Sequence, residues 1–486
     1  MPLESASAPL PAALLAAPSA PPPCATAEWS WPVRCLFRFA FVWFLLQVLQ
    51  PAGTLLPIGR LGELGAWLDR DGRPAAARSA GAQLAKLPQA WSDHLQKPVA
   101  AAVDEVVLRV ANLAPVQRIT GRSFEARPPG MGSGDTTCDW VEIATITAVA
   151  LLAALAWSAL ARRKTAHPRL HDLWRVLLRF ELATWLVVYG TIKLIPTQMP
   201  LPDLARLTEP VGEMSPMGML WTFLGSSPAY QSYSGSAELL AGALLVTRWT
   251  TPLGAFAAFA VMGNVFVMNL CYDVPVKIFS GRLMLQALAL AAPELPRLWR
   301  GFVLHRALPA RPVGALFRWK SANAIALLAG IALFGDATGS GIRSLLEQRS
   351  QRAAGSAAAT SPIEGIWVVE EFEHDGAPAV GDEPYLWRKL VVGNPWSLAI
   401  ETRAAPWTRY FTQADPLAKE SLALSRRGDA QWRATLRTER EADDLLSLTG
   451  EFDGRELWVR LRRIETPPFP LLTRGFRWVN EFPYNR

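Results

Sequence analysis

Several ionisable and amide side chains lie inside stretches of the chain that are otherwise apolar. A single charge at the centre of a bilayer costs about 2.5–3.5 kcal/mol on insertion scales, so such residues normally face a bundle interior and pair with one another. Between residues 173 and 295 these polar residues are Glu181, Tyr189, Lys193, Glu238, Asn264, Asn269 and Arg282. Such groups can donate protons or bind an anionic or quinone-like headgroup, so the pattern predicts an intramembrane site.

The spacing of these residues indicates that they share one face and one depth. Glu181, Trp185, Tyr189 and Lys193 follow at intervals of four, which places them on the same side of a helix. The candidate intramembrane polar site, including the loop after residue 270, consists of Tyr189, Lys193, Gln198, Glu238, Asn264, Asn269, Tyr272, Asp273, Lys277 and Arg282. The alternative is an interhelical network that fixes helix register, in which Lys193 neutralises Glu238.

Other chemistry has little support in the sequence. None of the five histidines lies inside an apolar span, which argues against a haem held between helices, and no metal site or cofactor motif is evident. A quinone or a lipid is the ligand that such a site would suit. The four cysteines form no C-x-x-C motif, although Cys138 and Cys271 fall at the same predicted interface and could form a disulfide.

Composition indicates a membrane protein. Of 486 residues, 50% are hydrophobic and only 19% are charged, with 20 tryptophans. Because a spanning helix needs about 20 residues, about seven stretches are candidates: residues 33–56, 140–161, 173–196, 229–249, 251–270, 278–295 and 322–337. The expected helical membrane domain covers residues 140–337, and residues 1–32 form a Pro- and Ala-rich tail expected to be disordered.

The distribution of basic residues predicts the orientation. Lys and Arg crowd residues 162–175 and 297–320, connections that lie on one side of a seven-span chain. The positive-inside rule then makes that side cytoplasmic, together with the N-terminus, in a bacterial inner membrane. The net charge of +7 is spread over short connections, so a nucleic-acid partner is not expected. Expected partners are membrane lipids and redox or envelope proteins.

Two long connections fall on the predicted outer side. Residues 57–139 include a helical apolar pattern over residues 91–113, which predicts a surface helix. Asp139 and Glu142 are placed to cap the second span. Residues 197–234, interrupted by prolines, predict a lid or a re-entrant loop over the bundle.

The C-terminal part has a different pattern. After a linker at residues 338–362, residues 363–486 show period-two alternation and two Asp-Gly turns, at Asp375 and Asp453. About eight strands are expected, which predicts an extracytoplasmic all-β domain, either a sandwich or an up-and-down barrel.

The helical core also carries motifs of a known family. These are Arg179-Phe180, Tyr189-Gly-x-x-Lys193, Gln198, Ser215-Pro-Met-Gly218, Glu238 and Asn269-x-Cys-Tyr-Asp-Val-Pro-Val-Lys277. Over residues 169–299 they resemble large bacterial DoxX-like membrane proteins, and residues 474–486 look like the ending of the same subgroup. The resemblance implies a four-helix membrane core and an association with redox complexes such as those of thiosulfate–quinone oxidoreduction.

Together these patterns predict a multi-pass protein of DoxX-like type, with an outward-facing site used in a membrane redox (quinone- or thiol-linked) or lipid-linked process. The sequence leaves open whether it is an enzyme. A ligand-binding or transport role would require a hollow β-barrel with an apolar lumen. A structural assembly role would require a polar cluster that satisfies itself, with no cavity beneath residues 200–234.

Overall fold

The computed structural model covers most of the chain apart from its two ends and several connections. The residues it describes are 29–49, 66, 69, 74–127, 134–162, 166–307, 319–358, 363–379, 383, 385–394, 397–403, 407–413, 421–426 and 429–474. Most of the expected N-terminal tail and residues 475–486 therefore lie outside the described residues. The chain divides into two compact units.

Unit 1 contains residues 1–129 and 136–178. Its described helices are α1 (Trp31–Val48), α2 (Ala75–Trp91), α3 (Lys97–Ala111), α4 (Ala114–Thr120), α5 (Thr137–Leu160) and the first part of α6 (Pro168–Leu194). A π-helical turn, Ser92–Gln96, joins α2 to α3, so the helix expected at residues 91–113 belongs to a longer helical stretch that begins at Ala75. Helix α5 packs against both α1 and α3.

One arginine ties three acidic side chains together in unit 1. Arg127 bonds to Asp104 at 2.7 Å, to Asp139 at 2.8 Å and also to Glu142. Burial alone would lower the pKa of the Arg127 guanidinium, but its bonds to Asp139 and the other carboxylates raise it above its usual value. The cap of α5 is Thr136, and Asp139 completes the capping box, so the expected roles shift by three residues.

Unit 2 contains residues 130–135 and everything from Arg179 onward. Its helices after α6 are α7 (Leu204–Leu207), α8 (Pro216–Gly225), α9 (Pro228–Val246), α10 (Thr251–Cys271), α11 (Lys277–Ala291), α12 (Leu295–Leu298) and α13 (Lys320–Ala358), with α14 (Pro470–Thr473) near the C-terminus. Helix α10 packs against both α9 and α11, and α9 also contacts α8 and α13.

Among the described residues, four helical segments are long and apolar enough to cross a membrane, fewer than the seven expected. They are Trp31–Val48, Thr137–Leu160, Thr251–Cys271 and Lys320–Gln351. Charged residues such as Arg175, Arg179 and Glu181 lower the hydropathy of α6, while α11 has only 15 residues. The helices exist at the expected places, but their composition alone does not qualify all of them as spans.

The expected linker at residues 338–362 is helical as far as Ala358, because α13 continues without a break from the predicted last span. Alanine, arginine, glutamate and glutamine dominate residues 343–358, and all four favour helices.

The C-terminal domain is a β-barrel, which confirms the all-β prediction. Its strands are β1 (Gly365–His374), β2 (Ala377–Pro378), β3 (Trp387–Asn394), β4 (Ser397–Thr402), β5 (Thr408–Gln413), β6 (Ser421–Arg426), β7 (Asp429–Ala442), β8 (Leu445–Phe452) and β9 (Arg455–Ile464). Neighbouring strands pair antiparallel, and β1 pairs with β9 to close eight of them. Closure removes exposed sheet edges.

Alternating side chains fill the barrel and leave a second apolar face outside it. Trp367, Leu390 and Leu398 belong to a large buried cluster, whereas their neighbours Val391 and Ala399 belong to a separate cluster. The turns at Asp375-Gly376 and Asp453-Gly454 have positive φ at both residues, as hairpin turns of this kind require. Both predicted hairpin turns are confirmed.

The outer apolar face of the barrel contacts the segment between α6 and α9. We call residues 199–226 the lid segment. Trp407 donates from Nε1 to the carbonyl of Ala205 at 3.1 Å, and Asp203 accepts from Asn394 at 3.0 Å. Glu209 accepts from Arg206 at 2.6 Å and from Arg409 at 2.9 Å. The lid segment is therefore held to the barrel by both apolar and charged contacts.

Candidate functional site

A cavity of about 240 Å³ lies among the helices of unit 2 and the lid segment. Its polar lining includes Tyr189, Lys193, Gln198, Gln231, Ser234, Glu238, Asn264, Asn269 and Ser280. Its apolar lining includes Met199, Met217, Leu220, Trp221, Leu224, Met262, Met268, Phe279 and Leu283. Polar groups and apolar walls therefore meet in one space, as in sites that bind small organic molecules.

A buried ion pair is the chemical centre of this cavity. Lys193 of α6 donates from Nζ to Oε1 of Glu238 on α9. Lys193 is 8% exposed and Glu238 is fully buried. Because removal of one partner would leave an uncompensated charge away from water, the two residues constrain each other strongly.

Two glycines bring the two helices close enough for this pair to form. A Cβ atom on Gly235 would lie 2.4 Å from the amide nitrogen of Leu194 and 2.5 Å from the carbonyl oxygen of Gly190. Small residues at a crossing allow such close approach of helix backbones. Ser232 adds a hydrogen bond to the carbonyl of Leu194 at 2.9 Å. Lys193 and Glu238 therefore extend from a crossing at which the backbones touch.

The lid segment is attached to α9 beside the ion pair. Gln231 accepts from the amide of Met199 at 3.1 Å and donates to its carbonyl at 2.9 Å. Gln231 and Glu238 are seven residues apart, which is close to two helical turns, and both line the cavity. One face of α9 thus holds both the lid segment and the ion pair.

Asn269 and Ser280 support the opposite wall. Asn269 donates from Nδ2 to Oγ of Ser280 at 2.9 Å, and Ser280 donates to the carbonyl of Val276 at 2.9 Å. The predicted residue Asn269 is therefore engaged with the protein.

A second buried pair lies elsewhere on α6. Arg282 of α11 lies 3.2 Å from Oε1 of Glu181, and Gln286 donates to Oε2 of Glu181 at 3.0 Å. Trp185 packs edge-on against Phe279, with ring centroids 4.9 Å apart. The structure thus places Arg282 in a separate pair and outside the cavity lining, a difference from the predicted single cluster.

The loop between α10 and α11 also differs from the prediction. Tyr272, Asp273 and Lys277 do not line the cavity. Lys277 bonds to Asp273 at 2.8 Å near the surface, and this bond raises the pKa of the Lys277 ammonium. Asp135 accepts from the amides of Lys277 and Ile278, at 2.7 and 3.0 Å, and so caps α11. Asp135, Asp273 and Lys277 therefore hold the loop in place and do not belong to the cavity.

Cys138 and Cys271 do not form the predicted disulfide. Cys138 is a buried free thiol in unit 1, and Cys271 is an exposed free thiol in unit 2.

Of the predicted site, six residues line the cavity: Tyr189, Lys193, Gln198, Glu238, Asn264 and Asn269. Sequence reasoning missed Gln231, Ser234 and Ser280. Ser234 and Gln231 lie on α9, four and seven residues before Glu238. Their spacing from Glu238 was a usable signal, since residues separated by four and seven positions share a helical face.

These features define a class: a helical protein with membrane-length apolar helices, a buried ion pair facing a cavity, and a closed C-terminal β-barrel. No protein-family model matches the chain, and no solved structure matches it. The chain is similar to "Uncharacterized protein YwoB" of Bacillus subtilis (strain 168), at 29% identity over 130 residues, which is 26% of this chain and 79% of that protein. The resemblance to DoxX-like proteins remains a prediction.

Proposed function

We propose that the protein is an integral membrane protein that binds a small lipid-soluble molecule in the cavity, as part of a membrane redox (quinone- or thiol-linked) or lipid-linked process. The observation that carries this proposal is the Lys193–Glu238 pair, which faces an apolar-walled cavity. A pair used only to hold helices together needs no adjoining space. The resemblance to DoxX-like proteins adds the redox element of the proposal.

The orientation belongs to the same proposal. The four apolar helical segments supply the membrane anchor. The positive-inside rule then puts the N-terminus in the bacterial cytoplasm and the barrel outside the inner membrane. Lipids are the immediate partners, and a redox or envelope protein would complete the process.

The barrel itself is a poorer candidate for the ligand site. Its interior holds a buried cluster that includes Trp367, Leu390, Leu448 and Val459, each at most 1% exposed. An eight-stranded barrel is just wide enough for side chains to fill. This favours a supporting role for the barrel over that of a hollow ligand cup.

The test fills the cavity without touching the ion pair. Ser234 lines the cavity, whereas Ser236, two residues along α9, is exposed. We expect Ser234→Phe to lose the small molecule that copurifies with the wild type in mild detergent, detected by native mass spectrometry. Ser236→Phe is the matched control and should retain it. Both variants should unfold within a few degrees of the wild type. The phenylalanine of Ser236→Phe is exposed and should change stability little. The phenylalanine of Ser234→Phe has room in the cavity.

Two results would contradict the proposal. One is equal retention of the same molecule by both variants, which would place it outside the cavity. The other is extraction of the wild type from membranes by alkaline carbonate, which would exclude an integral membrane protein.

A further inference from the structure

Two oxygen atoms at the cavity lack a hydrogen-bond donor among the described residues. They are Oε2 of Glu238 and Oε1 of Gln198, and both are inaccessible to solvent. Glu238 already uses its other oxygen for Lys193. A buried acceptor without a donor destabilises the protein, and more so when it is charged. Both residues line the cavity, so a molecule bound there can supply the missing donors.

The charge of the cavity limits the headgroup of that molecule. Lys193 and Glu238 are the two charged residues in the described lining, and they neutralise each other. Arg282, which could have attracted an anion, faces Glu181 in the second pair. An anionic headgroup would therefore meet the unshared carboxylate oxygen of Glu238 without a free cation to balance it. A neutral headgroup avoids this repulsion.

The remaining walls indicate an apolar body. Met217, Leu220, Trp221 and Leu224 of α8 cover one side of the cavity, and Met262 with Leu283 lies on α10 and α11. Methionine side chains adapt to irregular apolar shapes, so these walls suit a hydrocarbon chain of variable form.

We infer that the occupant is a neutral amphiphile whose head carries two hydroxyl groups, which donate hydrogen bonds to Oε2 of Glu238 and Oε1 of Gln198. This inference rests on the proposed function, since it specifies the chemistry of the molecule in the same cavity. The ion pair then acts as a fixed acceptor, with Lys193 holding Glu238 in place. The headgroup is bound by accepting oxygens, and anions are rejected by the same carboxylate.

The test compares two photoreactive probes of equal chain length in the purified full chain. One is a diazirine-bearing ten-carbon alcohol with a 1,2-diol head, and the other is its monosulfate ester, which is anionic at every working pH. Labelled peptides from α8 and α10 are quantified by mass spectrometry. We expect the alcohol to label these peptides about tenfold more than the sulfate, the effect of one charge-assisted hydrogen bond.

Two variants test whether the labelling preference depends on the headgroup contacts or only on burial of the probe's chain. Glu238→Gln keeps the shape but leaves the Lys193 charge uncompensated, so the preference should reverse toward the sulfate. Its folding is monitored by thermal unfolding, because an unpaired buried lysine destabilises. Gln198→Met should lower alcohol labelling severalfold with an unchanged unfolding temperature. Gln348→Met, at an exposed position of α13, is the control and should match the wild type.

The outcomes distinguish the two proposals. Equal or stronger sulfate labelling of the wild type would overturn the neutral-headgroup inference while leaving a ligand site in place. So would an alcohol preference that neither Glu238→Gln nor Gln198→Met changes. Failure of both probes to label α8 and α10 would overturn the proposed function itself.

Discussion

At the scale of single residues, Gln231 connects the lid segment to the helix that carries Glu238. It is 1% exposed and bonds to both backbone polar groups of Met199. Few other side chains could make both bonds, because a single side chain must accept one hydrogen bond and donate another. The lid segment therefore begins from a fixed point beside the ion pair.

Replacement of this amide should loosen the lid segment. Gln231→Met keeps the length of the side chain but leaves the amide and the carbonyl of Met199 unpaired, which should cost about 1–3 kcal/mol for the pair of groups. We expect faster hydrogen exchange at the amides of Met199 and Leu201 and a lower unfolding temperature in detergent.

Gln198→Met is the matched control for this change. Oε1 of Gln198 has no donor among the described residues, so its removal should leave the unfolding temperature unchanged. Equal destabilisation by both variants would contradict the anchoring role of Gln231.

The sequence identified the charged residues of the site better than the neutral ones. Lys193 and Glu238 stand out because a charge in an apolar helix needs a partner. Gln231 lies near the start of α9, where an amide is unremarkable by composition. Arg282 was assigned to the site by its depth, but the choice of partner between Glu181 and Glu238 depends on helix rotation, which spacing alone does not fix.

At the scale of elements, the crossing of α6 and α9 decides whether the ion pair can form. The Gly190 and Gly235 backbones are in contact there, and Gly254 similarly allows α10 to approach Leu244 of α9. Helices that approach this closely cannot accept a side chain between them without moving apart.

A methyl group at this crossing should be costly. We expect Gly235→Ala to reduce the free energy of unfolding by about 1–3 kcal/mol, because its Cβ atom would collide with backbone atoms of α6 that cannot rotate away. The measurement is reversible chemical unfolding in detergent, followed by tryptophan fluorescence.

Gly263→Ala provides the comparison on α10. The nearest atom to its added Cβ would be Sδ of Met284, at 3.9 Å, which is an ordinary contact. Alanine favours helix by about 1 kcal/mol over glycine, so this variant should be neutral or more stable. A loss of stability at Gly263 as large as at Gly235 would argue against a steric origin.

The positions of most helices and of the barrel were predictable from periodicity, whereas their ends and partners were not. Apolar patterns located α5, α9 and α10, and alternation with Asp-Gly turns located the strands. The sequence did not predict the continuation of α13 to Ala358, because the alanines that suggest a flexible linker beside Gly and Ser also favour helices. The cavity depends on how α8 packs over α10 and α11, which no local pattern specifies.

At the scale of the whole molecule, the barrel and the cavity share the lid segment. Glu209 joins Arg206 of that segment to Arg409 of β5, and the same segment continues into α8, which covers the cavity. Contacts at the barrel therefore restrict the conformations available to the cavity cover.

Loss of the Glu209 contacts should release the lid segment from the barrel. Glu209→Gln leaves the Arg206 and Arg409 guanidinium groups without their shared carboxylate. We expect hydrogen exchange of residues 203–213 to accelerate about tenfold or more, with exchange in β7–β9 unchanged.

The control for this change is Glu371→Gln on β1. Glu371 is an exposed partner of Arg460, at 3.4 Å, and exposed pairs contribute little to stability. Unchanged exchange in the lid segment of Glu209→Gln would show that the other contacts, such as those of Trp407 with Ala205 and of Asn394 with Asp203, hold it without Glu209.

The contact between Trp407 and Ala205 has a thermodynamic consequence. If a cavity ligand favours one arrangement of the lid segment, it must also change the affinity of the barrel's outer face for anything that competes with that segment. Reciprocity requires that each molecule change the affinity of the protein for the other by the same factor, whichever binds first. A protein that displaced Ala205 from Trp407 would then control release of a ligand bound in the cavity.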